Sequence, residues 1–296
     1  MKRIATLIFF AGLFFPVLGQ NPPLDKNWEV IFQDDFSTLN TQRWKVQYGP
    51  ANSGAGNDEG VPFRTYENTF IENGKLVLRV LKEDHECISW GTCLYPKRIH
   101  PYTSGGIESR AKYPYGYYEM YAKLPSSLGF SPGWMFHSSG SISKDSCWYH
   151  EINLIEAHVC SSNDYGANLH ANYYICTEPN PHFMANSDDI KCIYGDGYHW
   201  FGVEWDRDRV IWYFDRKIVR QVPNSVEGNA GVQNPMTIHL GIALRDTPPC
   251  SIPANTPFPQ DMIIDTINAY RLKCDKNTVV NETLFSYLSM DGVFCD

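Results

Sequence analysis

The sequence predicts an all-β protein, a sandwich of two antiparallel sheets. Three observations carry this. Apolar-rich or alternating segments of strand length recur along the chain, turn formers separate them, and no segment sustains a helical period with caps. Past the first twenty residues there is no low-complexity linker, charge block or internal repeat, so one domain is the simpler organisation.

The elements follow in order. "WEVIFQDDF" from Trp28 opens the series, and the turn "ENGK" leads into "KLVLRVL" from Lys75. "GIESRAKY" from Gly106 and "GYYEMYAKL" from Gly116 meet at "YPYG", and "EINLIEAHV" from Glu151 and "NLHANYYI" from Asn168 come next. "YGDG" introduces "HWFGVEWD" from His199, and "DRDR" separates that from "VIWYFDRKIVRQV" at Val210. "MTIHLGIAL" from Met236 and "DMIIDTINAYRL" from Asp261 close the series. Successive strand side chains point to opposite faces, so such segments bury one face and present the other.

The chain begins "MKRIATLIFFAGLFFPVLGQ", two basic residues and then an apolar run from Ile4 to Leu18 ending at the small Gly19. The layout is that of a secretory leader over residues 1–19, and the run is short for a membrane span. The expectation is therefore a single domain over 20–296, secreted or periplasmic, a monomer with no membrane insertion. Without Lys2 and Arg3 the formal charge moves from −8 to −10, and no basic run offsets it, which argues against nucleic acid as a partner. All nine cysteines follow the leader, so disulfides are expected. Cys87 with Cys93, Cys176 with Cys192 and Cys274 with Cys295 are plausible bridges; sequence does not fix connectivity, and an odd count leaves at least one free thiol. No spacing suits a zinc site, and no glycine motif suits an organic cofactor.

Aromatics form 14% of the chain, and many fall in or beside strands, among them Tyr117, Tyr118, Trp134, Trp148, Trp205 and Trp212. Such side chains serve a sandwich core or stack on the apolar faces of sugar rings. The segment "WYHEINLIEAH" (Trp148 to His158) is more specific, because it sets Glu151, Asn153 and Glu156 among apolar residues. Glu151 and Asn153 share a strand face, whereas Glu156, five residues on, faces the other way unless one residue near Leu154 or Ile155 bulges out. The bulge lines up three polar side chains and sends Ile152 and Leu154 to the core. Two carboxyl groups about 5–5.5 Å apart are what a retaining glycosidase needs, one as nucleophile and one as acid and then base. Mutual repulsion would keep one of them protonated. On this pattern alone, an amphipathic strand with solvated acids reads equally well.

The surrounding sequence resembles glycoside hydrolase family 16, in its laminarinase and agarase branches with a bulged E-x-D-x-x-E signature, here "EINLIE". "WEVIFQDDFSTLNTQRW", "GNDEGVPFRTYENTFIENGKLVLRV", "YTSGGIESRAKYPYGYYEMYAKLP" with "GFSPGW", "YHWFGVEWDRDRVIWYFDRK" and "FPQDMIIDTINAY" are similar to further family segments in the same order. The resemblance implies a β-jelly-roll with a substrate cleft across its concave sheet. It implies Glu151 as nucleophile, Glu156 as general acid/base, and Asn153 in the place of the family's central Asp. Trp134, Trp148, His158, His170 and Asn57 are expected to contact substrate, with a histidine satisfied within the sheet as the other reading of His170. Asp265 matches an Asp that helps hold a structural calcium in many members, or is an ordinary strand-edge acid. The chain departs from the family where Ser131 and Met135 replace tryptophans, where Gly106 replaces an Arg, and where Gly241 replaces an Asn. The implied activity is that of a secreted retaining endo-β-glycanase on a β-1,3- or mixed-linkage glucan. The alternatives are an endo-hydrolase of a red-algal galactan (agarose, porphyran or carrageenan) and a catalytically weakened glycan-binding protein.

Overall fold

Alternation along the strands is resolved into two layers. The structure is a computed structural model that describes residues 22–23, 26–51, 62–87, 98–138, 142–143, 146–147, 149–156, 168–170, 172–177, 182–186, 189–192, 194–195, 197–226, 229–244 and 250–273. Among these there is no helix, and the expected antiparallel sandwich is present as an eight-stranded and a seven-stranded sheet. The proposed leader at 1–19 lies outside the described residues.

The eight-stranded sheet runs Lys217–Pro223, Arg209–Phe214, Tyr198–Trp205, Gly116–Lys123, Gln260–Leu272, Lys75–Val80 and Thr69–Glu72. The thirteen-residue Gln260–Leu272 strand is long enough to serve two partners on one edge, Lys75–Val80 along its first half and Trp28–Asp34 along its second. The seven-stranded sheet runs His182–Asn186, Asn172–Thr177, Tyr149–Glu156, Phe130–His137, Thr237–Leu244, Gly106–Ser109 and Trp44–Val46. The acidic strand therefore lies inside a sheet, paired on both sides.

Between the layers sits the core. Tyr118 stacks on Trp205 with ring centroids 4.8 Å apart, and Phe136 meets the same indole edge-on at 4.9 Å. Trp44, Trp134, Trp212 and Phe130 are sealed in the same layer. Aromatic side chains bury the largest areas of any residues, which makes this layer the main source of stability. Trp134 is fully buried there, which corrects its expected role as a sugar contact. The reason is the two-residue period: Gly133, Met135 and His137 face one side of their strand and Trp134 and Phe136 the other, so a tryptophan displaced by one position changes faces.

Cys192 is a second correction. It is a free, buried thiol, so it does not bridge to Cys176. Its apolar surroundings push the thiol up to about 12, because burial penalises the thiolate.

Candidate active site

The polar residues of the acidic strand reach one face through the anticipated irregularity. Opposite Phe130–His137, the register reads Met135 to Asn153 and then Trp134 to Ile155, so Leu154 is the extra residue. Ile152 and Leu154 enter the core as expected, and Ile155 joins them. Glu151 and Glu156 are only partly buried, whereas Asn153 between them is almost wholly so. A bulge interrupts the ladder, and a donor arrives from the opposite sheet: Trp212 Nε1 donates to the Asn153 carbonyl at 2.7 Å. A core tryptophan thus anchors the irregularity that sets Glu156.

Asn153 also couples the acids. Its Nδ2 donates to Glu156 Oε2 at 2.8 Å, and the same side chain is within hydrogen-bonding reach of Glu151. One short amide touching both carboxyl groups holds them close, as a two-carboxylate reaction requires. Burial pushes the Glu151 carboxyl up to about 7; the Asn153 hydrogen bond opposes this and the neighbouring Glu156 charge adds to it.

The rest of this face follows from register, because residues paired across an antiparallel sheet share a side. One row runs Glu156, Gly133, Gly241, Gly106. The next runs Asn153, Met135, His239, Glu108, Lys45, and a third runs Glu151, His137, Thr237. The first row carries three glycines beside the acid, so the floor there is bare backbone. In the other rows the imidazoles of His137 and His239 stack with centroids 3.6 Å apart. His239 Nε2 lies 2.8 Å from Thr237 Oγ1, and its Nδ1 lies 3.1 Å from Gln47 Nε2. Burial, with the charges of Arg64 and Lys45 and the neighbouring His137 adding to it, drives His239 down to about 2, so the ring is neutral at any ordinary pH.

Arg64, from the short strand Phe63–Arg64, lays its guanidinium over the far end of the glycine row. A Cβ placed on Gly241 would meet Arg64 Nη2 at 3.0 Å, and one on Gly106 would meet Arg64 Nε at 3.0 Å. The arginine thus occupies space left by the two glycines.

Of the residues expected from sequence, Glu151, Asn153 and Glu156 come together, and Trp134 goes to the core. His170 ends the strand Asn168–His170, which pairs with Asp189–Lys191, but its side chain is outside the description; Asn57, Trp148 and His158 lie outside the described residues. Asp265 makes an ion pair with Lys75. Among the described residues no three His, Cys, Asp or Glu side chains converge on a point that could hold a metal. With an ammonium against its carboxylate, Asp265 as arranged does not fit a calcium ligand. His137, Thr237, His239 and Gly241 were within reach of sequence, since "MTIHLGIAL" and "SPGWMFH" alternate strictly once Trp134 is placed inside. Arg64 was not, because it reaches the floor from outside the sheet.

A β-sandwich that brings two glutamates and an amide to one face of a bulged strand holds the groups that a two-carboxylate reaction uses. The family model described as glycosyl hydrolases family 16 matches residues 57–252, and the chain belongs to that family. The chain is 24% identical over 267 residues to the endo-1,3-1,4-beta-glycanase ExsH of Rhizobium meliloti (82% of this chain, 52% of that protein). It is 29% identical over 226 residues to the kappa-carrageenase of Pseudoalteromonas carrageenovora (70% of this chain, 55% of that protein). It therefore spans about half the length of these curated relatives. The catalytic domain of an endo-1,3-beta-glucanase (laminarinase) from Thermotoga petrophila RKU-1 shares the fold, with a TM-score of 0.67 at 24% identity, covering 84% of this chain and all of that one. The sandwich is thus the jelly-roll that the sequence led us to expect.

Proposed function

We propose that the protein is a retaining endo-β-glycanase that cleaves internal bonds of a β-glucan or a galactan. The observation that carries this is Glu151 and Glu156 brought to one face by the Leu154 bulge and joined through Asn153. Ionised Glu151 attacks the anomeric carbon as protonated Glu156 gives its proton to the departing glycosidic oxygen, leaving a glycosyl ester on Glu151. Glu156, now a carboxylate, takes a proton from water, whose oxygen attacks the same carbon and frees Glu151. Two inversions at that carbon give net retention.

The relatives support both substrate classes, since one is named for a 1,3-1,4-β-glycan and another for kappa-carrageenan. The glucan is the first expectation and the galactan the second. Export is part of the proposal, supported by the apolar leader and by disulfide bonds at Cys87 and Cys250. A second reading, a glycan binder with weakened catalysis, draws on the neutral Asn153 and on Met135 and Ser131 standing where the family resemblance implies tryptophans.

The test is reducing-end release by the mature protein from laminarin, mixed-linkage glucan, agarose, porphyran and carrageenan, with the anomer of the first product read by NMR. Turnover with retention, lost in Glu151→Gln, is expected. Binding without turnover on every polymer would replace the hydrolase with the binder.

A further inference from the structure

Two tyrosines stand exposed at a place where the mechanism assigns nothing. Tyr48 and Tyr66 are the two aromatic side chains among the exposed large hydrophobic residues described, 48% and 58% accessible. Their rings stack on each other, with centroids 5.0 Å apart and planes 22° apart. Tyr48 thus covers one face of Tyr66, and the exposure of Tyr66 belongs to the other. A lone exposed aromatic needs no explanation, but a stacked pair is an apolar patch held open to water.

The patch is built to stay where it is. Tyr48 meets Phe63 edge-on at 5.0 Å, and Phe63, itself buried, stacks on His85 at 4.2 Å. Phe63 and Cys87 form a small cluster apart from the main core, and Cys87 is disulfide-bonded. A separate cluster beside a covalent cross-link therefore backs two rings that never enter the core. Rings fixed beforehand lose little freedom when a ligand arrives.

The position of the pair indicates the ligand. Trp44–Val46 is the edge strand of the seven-stranded sheet, and Gln47 continues it by donating its backbone N–H to the Gly106 carbonyl. Tyr48 comes next, and Tyr66 follows two residues after Arg64, whose side chain lies against Gly106. The tyrosines thus stand on the rim beyond the glycine row, four strands from Glu156, about 19 Å at ordinary strand spacing. Between them and the acid, the described floor offers no indole or phenol ring. Trp134 is turned into the core, Ser131 and Met135 take the cleft side of that strand, and the glycine row is bare backbone. A sugar ring has an apolar C–H face and a hydroxylated edge, which suits a tyrosine that offers a ring face and a hydroxyl. A polymer cut internally continues past the cleft, and this rim is where its next apolar contact is available.

We propose that Tyr48 and Tyr66 form a glycan-holding platform outside the cleft, on which a sugar ring of the same polysaccharide stacks, several rings from the bond that is cut. This rests on the proposed glycanase reading and narrows it to long chains, since a short oligosaccharide seated at Glu151 and Glu156 does not reach the rim.

The test follows chain length. Laminari-oligosaccharides from trimer to octamer with laminarin are the first probes, and kappa-carrageenan oligosaccharides with their polymer the second. Tyr66→Ala should raise KM about tenfold on the polymer and the longest oligosaccharides, and leave KM on the trimer and kcat on all of them unchanged. Tyr66→Phe, which keeps the ring, should retain most of the affinity. In the full chain carrying Glu151→Gln, saturating polymer should shield Tyr48 and Tyr66 from nitration by tetranitromethane, read by mass spectrometry, and the trimer should not. An unchanged KM in Tyr66→Ala, an equal loss on short and long chains, or nitration that polymer does not slow would overturn the assignment. Tyr66 lies outside the core, so Tyr66→Ala should match the parent by circular dichroism; if it does not, nitration of the unmutated pair decides. Turnover with no length-dependent effect of Tyr66→Ala would keep the hydrolase and discard the platform. Binding without turnover, with the pair shielded, would discard the hydrolase and keep the platform. Failure to bind any of these glycans would remove both.

Discussion

Glu151 carries two demands that pull apart. As nucleophile it must be ionised, yet burial, with Glu156 adding to it, holds its carboxyl up to about 7. The acid limb of kcat/KM should therefore fall near pH 7, with turnover dropping about tenfold per unit below it. The same shift links to stability. A carboxyl whose folded value lies above its unfolded value of 4.5 holds its proton more firmly when folded. Its stabilising contribution is complete below about pH 4.5 and is lost as pH rises through about 7. Thermal melts should accordingly find Glu151→Gln equal to the parent at pH 4 and more stable at pH 8; a lower melting point at pH 8 would contradict the burial argument. Asn153→Asp places a third acid against the pair and exchanges a donor for a charge. The acid limb should move to higher pH, and a limb that stays in place would show that position 153 does not reach Glu151 electrostatically.

At the scale of one strand, a single residue decides which side the chemistry faces. Were Leu154 not bulged, Glu156 would lie on the core side of Tyr149–Glu156. The pin on that geometry is Trp212, whose indole bonds the Asn153 carbonyl from the other sheet. Trp212→Phe preserves most of the buried area but strands that carbonyl, at a cost of about 1–3 kcal/mol. Urea unfolding should show this loss, and kcat should fall more than KM changes, because Glu156 loses its fixed position. Trp134 offers the contrast. Its Nε1 is buried without a partner among the described residues, so Trp134→Phe gives up no hydrogen bond seen there, and with the ring in the core KM should stay at the parent value. A large rise in KM would put the indole back in the cleft. The strand faces were readable from the two-residue period. The face taken by Trp134 follows from its parity along the strand and not from its residue type.

Across the described residues, the two sheets are held by an aromatic layer, and the long Gln260–Leu272 strand joins the early Trp28–Asp34 and Lys75–Val80 strands in one sheet. Asp265 lies on that strand in an ion pair with Lys75, so chelation by EDTA should leave the unfolding midpoint where it is and added calcium should not raise it. A midpoint that climbs with calcium would mean that the ion displaces the ammonium. The three central residues of the site were legible because they sit within six positions of one strand, where spacing alone fixes relative placement. Arg64 and Gln47 were not, since each reaches the floor from a separate segment and only the pairing of strands tells which row it crosses.

By itself the sequence determined the layer architecture, the acidic face with its bulge, and the family, because strand periodicity and an ordered series of motifs are local properties of the chain. Tertiary structure alone decided that Trp134 is core, that Cys192 is free, and that Arg64 lies over Gly241 and Gly106. Each of those depends on which distant residues meet across the sheets, and that is set by packing and register between segments far apart in the chain.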